Sequence, residues 1–401
     1  MGTTFSRSQY VSMILILGSL TALGPFTIDM YLPGFPAIAK DLHTLPSKVS
    51  LSLSSYFIGI SVGQFLYGPL LDKYGRKPPL LFGLGLYVSA SLACVFVTSI
   101  EGLIAWRFFQ ALGSCAANVA AMATVRDIFP VKDNAKVFAL LMLVVGASPM
   151  VAPTLGGYLT SSLGWQAVFV VLTCMGILNI INVVLWLPGK YVPDRTLSLD
   201  PKSIIQNFAA VLKVPQFSTY AMAGAITFSG LFAYISASPN VFMEHFSLDG
   251  KVYGWVFAFL SIFFIGSSQI NSMLLRWYRS EQIVRTVLCI QVIIASCFLV
   301  SSLLGWMNVT TCILFLMGYL SCLGIINPNT AALSLAPFSQ KVGSASAVLG
   351  ASQMTAGAIV SMAISLSPGT STLPLATALT VTASTGFIIL IAGTKISRQG
   401  K

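Results

Sequence analysis

Apolar runs long enough to cross a lipid bilayer recur twelve times along this chain, at approximately 10–35, 46–69, 79–98, 101–125, 136–159, 164–187, 216–239, 251–272, 282–304, 307–328, 342–366 and 372–393. About 20 predominantly apolar residues span the hydrocarbon core as a helix. Single segments crossing lipid have to be helical, because no water is there to satisfy an unpaired backbone N–H or C=O. The expected fold is therefore all-α, a polytopic membrane protein of twelve transmembrane helices. A soluble fold fails on composition: 8% of the 401 residues are charged, against about 25% in ordinary soluble domains.

The charges are unevenly placed. With an even number of crossings both termini lie on one side. The loops on that side hold eighteen Lys and Arg: Arg7; Lys73, Arg76, Lys77; Arg126, Lys132, Lys136; Lys190, Arg195, Lys202, Lys213; Arg276, Arg279, Arg285; Lys341; and Lys395, Arg398, Lys401. The opposite loops hold three, Lys40, Lys48 and Lys251, and Arg107 falls inside the fourth run. Cationic loops stay in the cytoplasm, so both termini are expected there. The formal net charge of +11 is then a topology signal. It lacks the clustered basic face that nucleic acid requires, and no nucleic-acid partner is expected.

The longest polar stretch holds Pro188, Pro193, Pro201 and Pro215 and divides six runs from six. It implies an N-terminal half at 1–189, a linker at 190–214 and a C-terminal half at 215–401. A shift of 204 residues lays Leu70-Leu71 on Leu274-Leu275 and Gly146 on Gly350. Internal duplication about a linker is the arrangement of transporters that bind substrate between two halves near the midplane.

Enzymatic and ATP-driven alternatives lack their residues. His43 and His245 are the only histidines and lie in separate loops, so neither a metal site nor a nucleophile–base constellation is expected. No G-x-x-x-x-G-K-[ST] loop is present to cradle phosphates. The energy source is expected to be a proton gradient, with no cofactor. The seven cysteines sit in apolar runs without a C-x-x-C pair and read as small packing residues.

Asp29 is the only acid well inside a run, and Arg107 the only base. Intramembrane charge costs at least about 2.5 to 3.5 kcal/mol, so each needs compensation. Both fall in the outer half of their runs, which makes an Asp29–Arg107 pair the expected arrangement. Burial opposes the charged carboxylate and a nearby guanidinium favours it. Moving the arginine, or inserting a substrate, would switch the carboxyl between holding and releasing a proton.

Helical spacing places Ala111, Ser114 and Asn118 on the Arg107 face and Phe26 on the Asp29 face, with Met30 next in sequence. In the seventh run Phe228, Phe232 and Ile235 share a stripe, with Tyr234 and Ser238 beside it. Asn327 and Gln353 add polar points in the tenth and eleventh runs. A mostly apolar, aromatic surface with few polar anchors suits a bulky lipophilic ligand. Since Arg107 is the sole intramembrane cation and is expected to be paired, neutral or monocationic substrates fit better than anions.

Two motifs add mechanism. The loop after the second run reads Gly68-Pro69-Leu70-Leu71-Asp72-Lys73-Tyr74-Gly75-Arg76-Lys77. There Gly75 permits a tight reversal, Gly68 permits close approach of a neighbouring helix, and Asp72 can pair with Arg76. The fifth run reads Gly146-Ala147-Ser148-Pro149-Met150-Val151-Ala152-Pro153-Thr154-Leu155-Gly156-Gly157, in which Gly and Pro thin and bend a helix at membrane depth.

The first of these fits G-x-L-x-D-K-x-G-R-K without a mismatch and resembles the signature loop of the major facilitator superfamily. Arg107-Phe108-Phe109-Gln110-Ala111-Leu112-Gly113 is similar to its R-x-x-Q-G element, with Ala111 in place of Gly. The fifth run resembles its antiporter motif, here carried by Gly146, Pro149, Pro153, Gly156 and Gly157, with Ala152 where the pattern usually has Gly. Asp29-Met30-Tyr31-Leu32-Pro33, Tyr234 to Pro239, Pro328-Asn329, Gly343 to Ala347 and Gln353-Met354 extend the similarity through both halves, toward the bicyclomycin and chloramphenicol resistance (Bcr/CflA) exporters. The resemblance implies a monomeric drug:proton antiporter of a bacterial inner membrane. It also implies a cytoplasmic latch in which Asp72 and Arg76 hold the outward-open state against span eleven. Export of a specific metabolite or siderophore by the same fold is the alternative.

Overall fold

The computed structural model describes residues 7–129, 131–187, 209–338, 342–367 and 371–399, excluding the side chains of 7–9, 131–136, 139, 342–343 and 395–399. Twelve helices among them are long and apolar enough to cross a membrane. Spans one to six are Arg7–Asp29, Pro46–Tyr74, Lys77–Val95, Ile100–Ile128, Val131–Leu163 and Gln166–Trp186. Spans seven to twelve are Pro215–Pro239, Gly250–Leu274, Ser280–Leu303, Val309–Leu335, Val342–Ser365 and Leu373–Gln399. The expected all-α architecture is therefore present. Most of the linker expected at 190–214 lies outside the described residues, as do the side chains of Arg7, Lys132, Lys136, Lys190, Arg195, Lys202, Lys341, Lys395, Arg398 and Lys401.

Successive spans run in opposite directions, so one end of the bundle carries the Gly75 turn (φ 86°) and the other the Gly164 turn (φ 87°). Left-handed backbone at both turns is cheap only for glycine. Three of the helices starting at the Gly164 end, spans four, eight and ten, are capped by local polar side chains. Ser99 accepts from the Gly102 amide, Asp249 from Lys251, and Asn308 and Thr311 cap each other reciprocally.

Span one is shorter than its apolar run. Its α-helix stops at Asp29, passes through a turn and a 3₁₀ segment Leu32–Gly34, and resumes as a short helix Phe35–Asp41. Pro33 explains the break: its ring would clash with the carbonyl four residues earlier, that of Asp29. Trp165 Nε1 donates to Asp41 Oδ2 at 2.8 Å and ties the resumed helix to the start of span six. In span seven the related Pro239 is followed by a widened turn, Asn240–His245.

Spans one to six pack among themselves, as do spans seven to twelve. The two sets meet along two seams, span two against span eleven and span five against span eight. These seams exchange under the internal repeat, since Gly146 faces Ile265 across one and Gly350 faces Gln64 across the other. Spans one, four, seven and ten line the middle without extensive direct packing between the sets.

Candidate functional site

Arg107 is fully buried (0% exposed) on span four, and its expected partner is not Asp29. Its Nη1 donates to Gln110 Oε1 at 2.6 Å and to the Thr27 carbonyl at 3.2 Å. The guanidinium lies 4.3 Å from the Tyr31 ring centroid and 4.4 Å from that of Tyr56, with Phe169 at 6.0 Å. Its Nε and Nη2 have no hydrogen-bond partner, consistent with donors enclosed by ring faces. The desolvated cation is thus stabilised largely by aromatic quadrupoles, each contributing roughly 2 kcal/mol when water is excluded.

A second ring of bonds fixes that cage. Tyr31 bonds Ser52 at 2.5 Å, Tyr56 bonds Ser114 at 2.7 Å, Gln110 donates to Ser91 at 2.7 Å, and Tyr87 bonds Thr27 at 2.7 Å. Five spans and the turn after span one therefore converge on one guanidinium. The expected Asp29–Arg107 ion pair is corrected by this geometry. Asp29 sits at the last turn of span one, and Pro33 turns the chain there, so the Thr27 carbonyl and the Tyr31 ring reach Arg107 while the carboxylate does not.

Asp29 is 3% exposed and, among the described residues, its carboxylate makes no side-chain hydrogen bond or ion pair. The groups in electrostatic reach of it belong to the other half, Tyr234 on span seven and Tyr253 on span eight. Tyr253 bonds Ser238 at 2.8 Å. Tyr234 stacks on Phe257 at 5.2 Å, and its hydroxyl is buried without a partner.

The Gly164 end is closed around this acid. A Cβ at Gly156 would overlap the Met30 carbonyl oxygen, and one at Gly157 would lie 2.7 Å from the Gly250 carbonyl oxygen. Gly254 likewise lets Thr154 approach, its missing Cβ falling 2.9 Å from the Thr154 Cα. On the other seam Ser361 bonds Ser54 at 2.7 Å and Ser236 at 2.6 Å, and Phe57 meets Phe232 at 4.6 Å. Along the inner stripe of span four Arg107, Ala111 and Ser114 are buried but Asn118 is exposed, as is Pro328 on span ten.

This closure sorts the residues expected to line a cavity. Met30, Ser114, Phe232, Tyr234 and Ser238 are buried in side-chain packing. Phe26 and Phe228 are half-buried, and Asn118 is open. Asn327 and Gln353 are joined at 3.0 Å across spans ten and eleven. Among the antiporter-motif residues, Gly156 and Gly157 make the close approaches, Pro149 and Pro153 lie inside the helix, and Gly146 makes only ordinary contact with Ile265 at 3.7 Å.

At the Gly75 end Arg76 bonds Asp72 and Asp127, each at 2.6 Å, tying span two to span four. Burial opposes the charge of Arg76, but the hydrogen bonds to Asp127 and Asp72 outweigh it and hold the group above its ordinary range. Lys77 donates to the Val184 carbonyl at 2.9 Å, capping the end of span six. Gly68 departs from expectation: no atom lies within 4 Å of its missing Cβ, so no neighbour exploits it in this conformation. The first side chains of span eleven, against which the loop is expected to latch, lie outside the described residues.

Residues that sequence reasoning missed include Tyr31 and Tyr56 around Arg107, the Ser54–Ser361–Ser236 bridge, Gly250, Tyr253 and Asp127. Asp127 carried a signal, as an acid at the end of span four on the same side as the Arg76 loop. The aromatic cage carried none, because tyrosines and serines are common in apolar runs. Among the described residues, no cluster of His, Cys, Asp or Glu could hold a metal ion.

A family model described as Major Facilitator Superfamily matches residues 17–362. The chain is 31% identical over 389 residues to an uncharacterized MFS-type transporter, YdgK, of Bacillus subtilis (strain 168), covering 96% of each chain. It is 30% identical over 356 residues to a bicyclomycin resistance protein homolog of Haemophilus influenzae, covering 88% of each. A crystal structure of a D-xylose-proton symporter shares the fold, with a TM-score of 0.75 at 11% identity over 96% of this chain and 97% of that one.

Proposed function

The chain belongs to the Major Facilitator Superfamily, and on that premise we propose that this transporter is a proton-coupled exporter of small lipophilic drugs, neutral or singly cationic. The observation that carries the coupling is Asp29, a buried acid without a fixed partner at the closed interface between the two halves. An ionised carboxylate in that dry packing has no cation beside it, so closure of the Gly164 end favours the neutral acid. When the halves part at that end, water reaches Asp29 and the proton can exchange.

The positive-inside bias orients the bundle, with the Gly75 end and both termini cytoplasmic and the Gly164 end external. The halves at 1–189 and 215–401 are the bodies that rock, and the central space lined by spans one, four, seven and ten holds the substrate. In this conformation that space opens toward the cytoplasm, through Asn118 and Pro328. Relatives named for bicyclomycin, chloramphenicol and multidrug resistance support a drug as cargo. The apolar and aromatic residues Phe26 and Phe228, with the Asn327–Gln353 amide pair, offer a surface of that chemistry. The placement in a bacterial inner membrane is supported by the twelve apolar spans and by the bacterial relatives, and we take the transporter to be a monomer without a cofactor.

The test is efflux in a bacterial host lacking its own drug pumps, with chloramphenicol and ethidium as probes, with and without a protonophore. Export of both, abolished by the protonophore and by Asp29→Asn, is the expected result. ΔpH-dependent efflux retained by Asp29→Asn would sink the coupling role. Failure to export either probe, alongside resistance to a single natural product, would instead identify a dedicated metabolite exporter.

A further inference from the structure

Two groups without a hydrogen-bond partner lie in electrostatic reach of each other across the halves: the carboxyl of Asp29, a residue 3% exposed, and the buried hydroxyl of Tyr234. The neighbouring tyrosine hydroxyls and charged groups are each bonded or held elsewhere. Tyr253 is occupied by Ser238, and Tyr31, Tyr56 and Tyr87 are bonded to Ser52, Ser114 and Thr27. Arg107 is held in its aromatic cage by Gln110 and the Thr27 carbonyl. At the rim of span eight Asp249 is exposed and caps the helix, and the Lys251 ammonium lies over the Tyr158 ring at 5.2 Å. Asp29 is thus the one buried acid among the described residues.

The backbone brings the two groups together when the Gly164 end closes. Met30 lies against Gly156, and the Pro33 carbonyl oxygen lies 3.5 Å from the position a Cβ at Gly250 would take, so the turn after Asp29 is pressed between spans five and eight. Span seven presents Tyr234 from the opposite side, its ring held by Phe257. A carboxylic acid and a phenol each donate and accept, so each is a chemically competent partner for the other.

We propose that Tyr234 is the partner, in the second half, of the protonated Asp29 carboxyl, and that their hydrogen bond makes closure of the Gly164 end depend on the proton. The proposal rests on the proton-coupling reading above and adds its second component. Tyr234 acts as a positioning residue: it moves no proton itself, and it favours the closed state only while Asp29 carries one. A bond that exists in one conformation and one protonation state links the two equilibria.

The experiment reads closure through the thiol-reagent accessibility of a cysteine placed by Leu32→Cys, buried in the closed end, in a chain whose native cysteines are replaced by serine. The protein is reconstituted in lipid vesicles and the pH is varied. In the Tyr234 wild type, protection is expected to grow as pH falls. Tyr234→Phe keeps the ring stack and removes the hydroxyl, and the protection curve is expected to shift toward acid by about half to one pH unit, the worth of one net hydrogen bond. In an Asp29→Leu background the curve is flat, and adding Tyr234→Phe changes nothing.

An unshifted curve in Tyr234→Phe, or the same shift in the Asp29→Leu background, overturns the partnership. An unaltered pH dependence in Asp29→Leu overturns the coupling reading itself, so the two failures are distinct. Should Tyr234→Phe not fold, the infrared carbonyl band of the Asp29 acid, assigned by its loss in Asp29→Leu, decides the question. A hydrogen-bonded frequency supports the partnership, and a free-acid frequency overturns it.

Discussion

Gly157→Ala tests whether the seam between spans five and eight sets the conformational equilibrium. The added Cβ would lie 2.7 Å from the Gly250 carbonyl oxygen, 3.1 Å from its carbon and 3.3 Å from the Lys251 Cα. All three neighbours are backbone atoms, so no side chain can swing aside. Ordinary contact begins near 3.4 Å, so span eight must withdraw by about 0.7 Å. Overpacking of this kind costs about 1–3 kcal/mol. The contact joins the two halves, so the cost falls on the conformation closed at the Gly164 end and not on the one open there.

That difference moves the equilibrium about 5- to 150-fold toward the open state. The Leu32→Cys accessibility assay should show the Gly164 end open across the whole pH range, and chloramphenicol efflux should fall by a similar factor while the protein remains folded in detergent. Gly250→Ala is the internal control, because its Cβ would meet nothing nearer than the Pro33 carbonyl oxygen at 3.5 Å. Protection of Gly157→Ala equal to wild type, or equal opening by Gly250→Ala, would refute the reasoning.

Three further outcomes follow from the same geometry. Arg107→Lys keeps the charge but cannot lie flat against Tyr31 and Tyr56 while bonding Gln110, so a loss of about 2 kcal/mol is expected, read as a lowered melting temperature in detergent. Ser361→Ala removes the one hydroxyl bond that Ser361 makes across the halves, to Ser54, together with its bond to Ser236 inside the second half. At roughly 0.6 kcal/mol for a hydrogen bond in a membrane, loss of the Ser54 bond should open the Gly164 end about three-fold in the same thiol assay. Gly68→Ala meets empty space and should leave the melting temperature unchanged or slightly raised, since alanine is the better helix former; a clear drop would show that a neighbour contacts Gly68 in the resting protein.

Apolar period and charge asymmetry made the twelve spans legible, because lipid permits few alternatives to a helix. The Gly75 turn and the Asp72–Arg76 contact were legible because the reversal is local: Arg76 stands two residues past the end of span two and folds back onto its last turn. Gln110 at Arg107 follows from helical spacing, three residues on along span four. The Asp29–Arg107 pair could not be judged this way, since equal depth in two spans says nothing about azimuth. Pro33 ends the helix at Asp29, and the direction of the carboxylate after that break depends on tertiary packing. The Ser54–Ser361–Ser236 bridge was illegible because its members are separated by more than a hundred residues.

The two intramembrane charges are held in opposite ways, and that contrast bears on mechanism. Arg107 is surrounded by groups from its own half: Thr27, Tyr31, Tyr56, Gln110 and Phe169. A rigid-body movement of the second half leaves each of those contacts intact, so the cation is compensated equally in every state and cannot by itself drive a change between them. Asp29 faces the second half and lacks a permanent partner, so its surroundings differ between states by everything the interface gains or loses. An ionisable group couples to conformation only through such a difference. Under the proposed coupling, Arg107 then holds spans one, two and four as one body, and Asp29 is the group whose proton is exchanged against that body's movement.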